Sequence, residues 1–182
     1  MSGNSNSLNP SPSNWPNNPN RPVEQVSWDD VQIFLSRLNA AEQAAGRLPS
    51  GWSYILPTES QWEYACRAGT TTAYSWGATI ATSNANYNNI IGQTTDVGQY
   101  AANPWGFFDM HGNVLEWTAD WYYATYPNGN PVINPSGSAS GSLRVFRGGS
   151  WFFPGTYLRS AFRYGNSPST RTSNIGFRVG FK

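Results

Sequence analysis

The 182-residue chain holds one cysteine, Cys66, and one histidine, His111. A single thiol excludes an internal disulfide framework and a cysteine-based zinc site. Charge is also scarce. Only 12% of residues are charged and the net charge is +1, so nothing electrostatic points to nucleic acid or to an anionic membrane surface as partner. No apolar run is long enough to span a bilayer, so direct membrane insertion is not expected. The opening MSGNSNSLNPSPSNWPNNPN is polar and reads as no secretory signal.

What is abundant is aromatic and turn-forming. Nine Trp, ten Tyr, nine Phe, 18 Gly and 13 Pro argue for one irregular, loop-rich α+β domain rather than a helix bundle. Residues 1–20 form a polar Asn/Ser/Pro arm, in which Trp15 is the ring expected to pin the arm to the body. The domain proper runs over 21–182.

Ser27 caps a helix, with Asp30 answering it. Val31, Phe34, Leu35 and Leu38 then recur at helical spacing, and Gly46 stops the helix after Ala45. Trp52–Leu56 reads as a short strand closed by Pro57. Thr58 and Gln61 form a second capping box, for a helix that buries Trp62, Ala65 and Cys66 and ends before Gly69. With no His or Lys close in sequence, Cys66 reads as a buried, inert thiol. Residues 70–100 lack any period, and a loop of that length is expected to be functional or ordered by a ligand or ion. Asp109 and Glu116 flank a turn that could aim both carboxylates and intervening carbonyls at a hard cation, although two such carboxylates also suit solvent or a cap. Leu143–Arg147 and Ile175–Phe181 read as strands, and Gly148-Gly149 as a tight backbone passage.

Four stretches in order resemble one family: PVEQVSWDD at 22–30, LPTESQWEYA at 56–65, DMHGNVLEWT at 109–118, and RGGSW at 147–151 with GFRV at 176–179. They look like the formylglycine-generating enzyme (sulfatase-modifying factor) family, from about Asn9 to the C-terminus. That resemblance implies an elaborated C-type lectin fold with two helices, a small antiparallel sheet and structural calcium. The calcium motif falls on Asp109, the carbonyls of Gly112 and Val114, and Glu116. The family's two copper-binding cysteines fall on Phe153 and Leu158, so neither copper nor thiol exchange carries over. A related branch uses iron held by three histidines. One His cannot supply that, and His111 reads as structural.

The segment 144–179 also resembles the rewritten C-terminus of variable proteins from diversity-generating retroelements. In that resemblance Phe146, Phe152, Phe153, Tyr157, Phe162, Tyr164, Gly165, Asn166, Thr172 and Ser173 occupy diversified positions between fixed frame residues. Aromatics with Ser, Thr, Gly and Asn suit a binding surface. The same rings could instead be ordinary core. The leading expectation is a non-catalytic protein whose C-terminal segment binds a protein or surface ligand. The compartment stays open, the cytoplasm and display on a surface or a phage through a partner both being compatible with the sequence, and so does the oligomeric state. The alternatives are a divergent oxidoreductase of the family and a structural lectin-like accessory module.

Overall fold

A computed structural model describes residues 8–125, 135 and 137–182. Helix α1 (Trp28–Ala44) starts on the expected box: Ser27 Oγ accepts the Asp30 N–H at 3.1 Å, and Asp30 Oδ2 accepts the Ser27 N–H at 2.9 Å. Two donors that the first helical turn would otherwise leave unpaired are thus satisfied. Val31 and Leu35 are buried and Phe34 packs beside them. The helix ends at Ala45, and Gly46 follows at φ +67°. Strand β1 (Tyr54–Ile55) is shorter than expected. Asn39 on α1 holds it, accepting the Tyr54 N–H at 2.7 Å and donating to the Tyr54 carbonyl at 2.9 Å. Helix α2 (Glu59–Arg67) carries the second box and turns off at Ala68, φ +47°.

The later elements are strands β2 (Leu115–Trp121) and β3 (Arg144–Arg147), a 3-10 turn (Gly155–Leu158), then β4 (Tyr164–Asn166), β5 (Ile175–Phe177) and β6 (Gly180–Phe181). The four-stranded sheet has the order β4-β3-β2-β5, and β6 pairs antiparallel with β1 in a separate ribbon. The expected sheet was antiparallel throughout, yet β5 lies parallel to β2. A parallel neighbour needs a crossover rather than a hairpin. The chain makes it by passing the start of α1, where the Asp29 and Gln25 N–H groups donate to the carbonyls of Pro168 and Thr172.

Two expected elements differ. The final strand is split at Arg178 and Val179, because Arg178 turns back onto Glu116 while the chain moves on to the β1 ribbon. β2, read only as a carboxylate motif, is one of the two inner strands of the four-stranded sheet. Its Leu115, Glu116, Trp117, Thr118 and Asp120 are all buried, so no polar-apolar alternation betrays it.

The main core joins Val26, Val31, Leu35, Leu56, Leu115, Trp117, Phe146 and Ile175. At about 1.5–3 kcal/mol for each large apolar side chain removed from water, this cluster carries much of the stability. Residues 70–100 contain no helix or strand. Asparagine side chains supply the order instead. Asn113 accepts the Thr95 N–H at 2.9 Å and donates to its carbonyl at 3.1 Å, and Asn86 donates to the Gln93 carbonyl at 2.9 Å.

Candidate functional site

Within 144–179 the side chains divide by direction. One set turns inward onto the scaffold. Arg147 is fully buried, pairs with Glu59 at 3.5 Å and with Glu63, and donates to the Phe162 carbonyl. Arg163 grips Glu59 with two bonds of 2.6 Å, and the Glu59 N–H donates to Asp120 Oδ2 at 2.6 Å. Arg178 grips Glu116 at 2.8 and 3.0 Å, and Trp62 Nε1 donates to the same carboxylate at 2.6 Å. Arg171 holds Asp30 with two bonds of 2.7 Å. Arg144 lies between the rings of Trp28 and Trp121, 3.7 and 3.4 Å from their centroids. A charge buried as deeply as that of Arg147 is tolerable only when paired, and the two-bonded pairs fix position as well as charge. Gly149 completes the frame. It sits at φ +68°, and a Cβ there would lie 2.5 Å from Leu158 Cδ1, so no other residue fits.

The second set is a run of rings in contact with one another, rooted on the buried Trp151 and on Phe153, which also packs against the main core. A continuous chain runs Trp15–Trp151–Phe152–Phe153–Tyr157–Phe162, with centroids 4.5–5.8 Å apart at each step. Trp15 thus brings the N-terminal arm onto the first ring of the segment. Tyr164 stands apart from this chain, against Phe146 at 5.6 Å and Tyr122 at 6.4 Å. Phe152 and Tyr164 are more than half exposed, at 53% and 54%, and Tyr157 is 37% exposed.

Two expected surface positions are corrected. Phe146 is only 3% exposed and belongs to the main core against Trp117, because it faces inward from β3. Gly165 is buried under Tyr122, where a Cβ would come within 2.5 Å of the ring. Phe153 is intermediate, touching both the core and the outer rings. Asn166, Thr172 and Ser173 are half-buried. Asn166 Oδ1 accepts from the Ser167 N–H at 2.8 Å, Thr172 Oγ1 donates to Asn174 Oδ1 at 2.7 Å, and the Ser173 carbonyl accepts from Trp151 Nε1 at 3.1 Å. Sequence reasoning missed Tyr122 and Arg144. Both lie far in sequence from what they touch, and no local pattern marks them.

Asp109, Gly112, Val114 and Glu116 border one groove of about 550 Å³. Their donors are all hard oxygens, which suits calcium. Burial pushes the Asp109 carboxyl above its usual range, against the Gly98 N–H that donates to it at 2.7 Å. A cation there would relieve that cost. Glu116 already serves Arg178 and Trp62, so it would have to be shared. Among the described residues, no group of three or more His, Cys, Asp or Glu could hold a metal, so such a site depends on the carbonyls.

Cys66 is fully buried, 3.5 Å from His111 Nε2 and 3.6 Å from Ser160 Oγ. Burial pushes its thiol up to about 12. His111 accepts the Ser75 N–H at Nε2 and so donates from Nδ1 to the Leu158 carbonyl at 2.6 Å. Burial brings its pKa down to about 4. A neutral imidazole beside a protonated thiol is a structural contact, because the nucleophile would have to be the thiolate.

The profile of the sulfatase-modifying factor enzyme 1-like domain matches residues 2–181. The chain belongs to that family. It is 34% identical over 179 residues to the formylglycine-generating enzyme of Streptomyces coelicolor, covering 88% of this chain and 52% of that protein. Among solved structures, Treponema denticola variable protein 1 superposes with a TM-score of 0.79 at 27% identity, over 93% of this chain and 76% of that one. PvdO from Pseudomonas aeruginosa gives 0.75 at 32%, over 89% and 62%. The chain spans about half the length of the curated formylglycine-generating enzymes it matches (52% and 44% for two of them). The fold is the family's α+β C-type lectin fold, with two helices and small sheets. Among the described residues, no helix is long and apolar enough to cross a membrane.

Proposed function

We propose that this family member is a non-catalytic binding protein whose segment 144–179 presents a diversified surface, in the manner of the variable proteins of diversity-generating retroelements. The observation that carries this reading is the division of the segment. Frame side chains are tied inward to fixed scaffold carboxylates, while Phe152, Tyr157 and Tyr164 project outward. Exposed rings that take no part in the ion pairs can be exchanged without disturbing those pairs. The positions that match the family's catalytic cysteines hold Phe153 and Leu158, and the one thiol of the chain is buried elsewhere. The partner is a protein or surface ligand that meets large, low-entropy rings. Calcium held by Asp109, Glu116 and the carbonyls of Gly112 and Val114 would be structural in this reading and would brace the turn into β2.

The test is a triple change, Phe152→Ser, Tyr157→Ser and Tyr164→Ser. Surface substitutions of this kind cost roughly 0.5 kcal/mol or less each. Thermal melting should therefore stay within a few degrees of the parent while ligand binding is lost. Collapse of the fold would make these rings core and end the proposal.

A second reading has one observation in its favour: curated relatives carry the name formylglycine-generating enzyme. A divergent oxidoreductase would consume oxygen when given a cysteine-containing peptide, and it would bind copper or iron in a one-to-one ratio.

A further inference from the structure

The charges of this chain are sorted by position. Residues 1–120 hold all ten acidic side chains and four basic ones, and residues 121–182 hold seven basic and no acidic one. The scaffold acids neutralise four of those seven from beneath, through the pairs of Arg147 and Arg163 with Glu59, Arg171 with Asp30, and Arg178 with Glu116. Arg144 is held between two Trp rings, and Lys182 closes the β1 ribbon through its backbone. Arg159 is left. It is exposed, its Nε donates to the Thr156 carbonyl at 2.9 Å, and among the described residues it has no carboxylate partner. It sits in the turn that brings Tyr157 onto Phe162, where the Phe162 N–H donates to the Arg159 carbonyl at 2.8 Å.

The rings beside it are partly used up by each other. Phe153 and Tyr157 stack face to face, 5.1 Å apart and 3° from parallel, and Tyr157 also leans on Phe162 at 4.5 Å. The stacking covers one face of Phe153 and one of Tyr157, which leaves edges and the Tyr157 hydroxyl among the surface open to a partner. Ring edges carry the positive side of the aromatic quadrupole and favour oxygen acceptors. Flat stacking of sugars or nucleobases needs free ring faces, and a phosphate backbone needs several cations rather than one.

We infer that the outer face of 144–179 takes a protein segment that presents a carboxylate flanked by apolar side chains, with Arg159 as its charge partner. This rests on the reading of the segment as a binding face. An arginine whose terminal nitrogens have no partner among the described residues, beside aromatic rings and with no acidic side chain in the last third of the chain, is complementary to that chemistry.

The experiment uses the 182-residue chain as bait for a random 12-residue peptide library on phage, followed by titration of the enriched peptides. The expected outcome is enrichment of peptides with Asp or Glu beside Leu, Phe, Trp or Ile. Binding should weaken about tenfold in Arg159→Glu and with rising salt. Selection on Arg159→Glu should favour Lys or Arg at the same place. Enriched peptides that are uncharged or basic, or that bind Arg159→Glu unchanged, overturn the inference. So does a library without enrichment, or binding of an oligosaccharide or a single-stranded oligonucleotide in its place. The triple ring change separates the two claims. If it leaves peptide binding intact, the binding-face reading itself fails. If it abolishes binding while Arg159→Glu does not, only the charge inference fails.

Discussion

Glu24 is 1% exposed and ties the N-terminal arm to the domain: its Oε1 accepts the Asn14 N–H at 2.7 Å, and Ser13 Oγ lies 3.4 Å from its own N–H. Its second oxygen is buried and, among the described residues, lacks a hydrogen bond of good geometry. Burial raises its carboxyl, and the bonds from Asn14, Trp15 and Ser13 only partly offset that. The sign follows from linkage. A carboxyl raised on folding binds its proton more tightly in the native state, so its contribution is full below the unfolded value and fades as pH rises through the native one. Glu24→Gln keeps an oxygen for the Asn14 N–H and removes the buried charge. Urea denaturation should find it at least as stable as the parent at pH 7, with the parent gaining on it as pH falls toward 4.5. Glu24→Ala leaves the Asn14 and Trp15 donors bare and should cost about 1–3 kcal/mol at either pH. A parallel pH profile for parent and Glu24→Gln would count against this account. At this scale the sequence was readable where a signal is local. Ser27, Thr58 and Gly46 announced their caps. Trp15, alone among polar residues, reaches Trp151. The frame arginines were visible as a motif but not as ion pairs, since their partners lie 62 to 141 residues away.

Helix α1 shows how an element can serve the segment it supports. Asp30 closes the capping box and also receives both bonds of Arg171, which lies in the crossover to β5. Burial alone would raise this carboxyl. Hydrogen bonds from Arg171 and Ser27 outweigh that and hold it below its ordinary value. One side chain therefore sets the start of the helix and the path of the crossover. Ser27→Ala should lower stability by about 1 kcal/mol, the usual cost of a lost cap. Arg171→Ala should cost less, because its side chain is half exposed and solvent screens the pair. Asp30→Ala loses both contacts and should exceed either. Chemical denaturation of the three variants checks the order, and an Asp30→Ala cost no larger than that of Ser27→Ala would separate crossover from cap. Elements with a period were legible in sequence, and both helices lie within a residue or two of where their caps put them. β2 was not. Its inward groups include Glu116, Thr118 and Asp120, whose charge and hydroxyl are satisfied by Arg178, the Val145 carbonyl and the Glu59 N–H. A strand that buries polar groups in pairs has neither the alternation nor the apolar run that marks a strand. The loop 70–100 was legible as a loop, but its order comes from asparagine side chains whose targets only the fold reveals.

At the scale of the whole molecule, a basic C-terminal third lies on an acidic body, and ion pairs join the two beside the core they share through Phe146 and Ile175. The binding face could thus be recognised in sequence as a mixture of rings and small polar residues. Which rings turn outward could not, because Phe146 and Tyr164, opposite each other across β3 and β4, differ only in which has solvent above it. The turn from Asp109 to Glu116 is where this arrangement predicts sensitivity to calcium. Two carboxylates and two carbonyls border one groove there, and Arg178 is the one cation beside Glu116 in the ion pairs described. Calcium that binds only the native state adds RT ln(1 + [L]/Kd), about 2.7 kcal/mol at a hundredfold excess over Kd, which for a domain of this size is roughly 5–10 °C. Millimolar calcium should raise the melting temperature of the chelator-treated protein by that order, with magnesium far less effective because it demands a smaller, octahedral cage. Asp109 sits at φ +55°, so Asp109→Gly removes the carboxylate without straining the backbone. That variant should melt at one temperature with or without calcium. A parent whose melting temperature ignores calcium would mean that Arg178 alone balances this turn, and that the fold holds β2 without a metal.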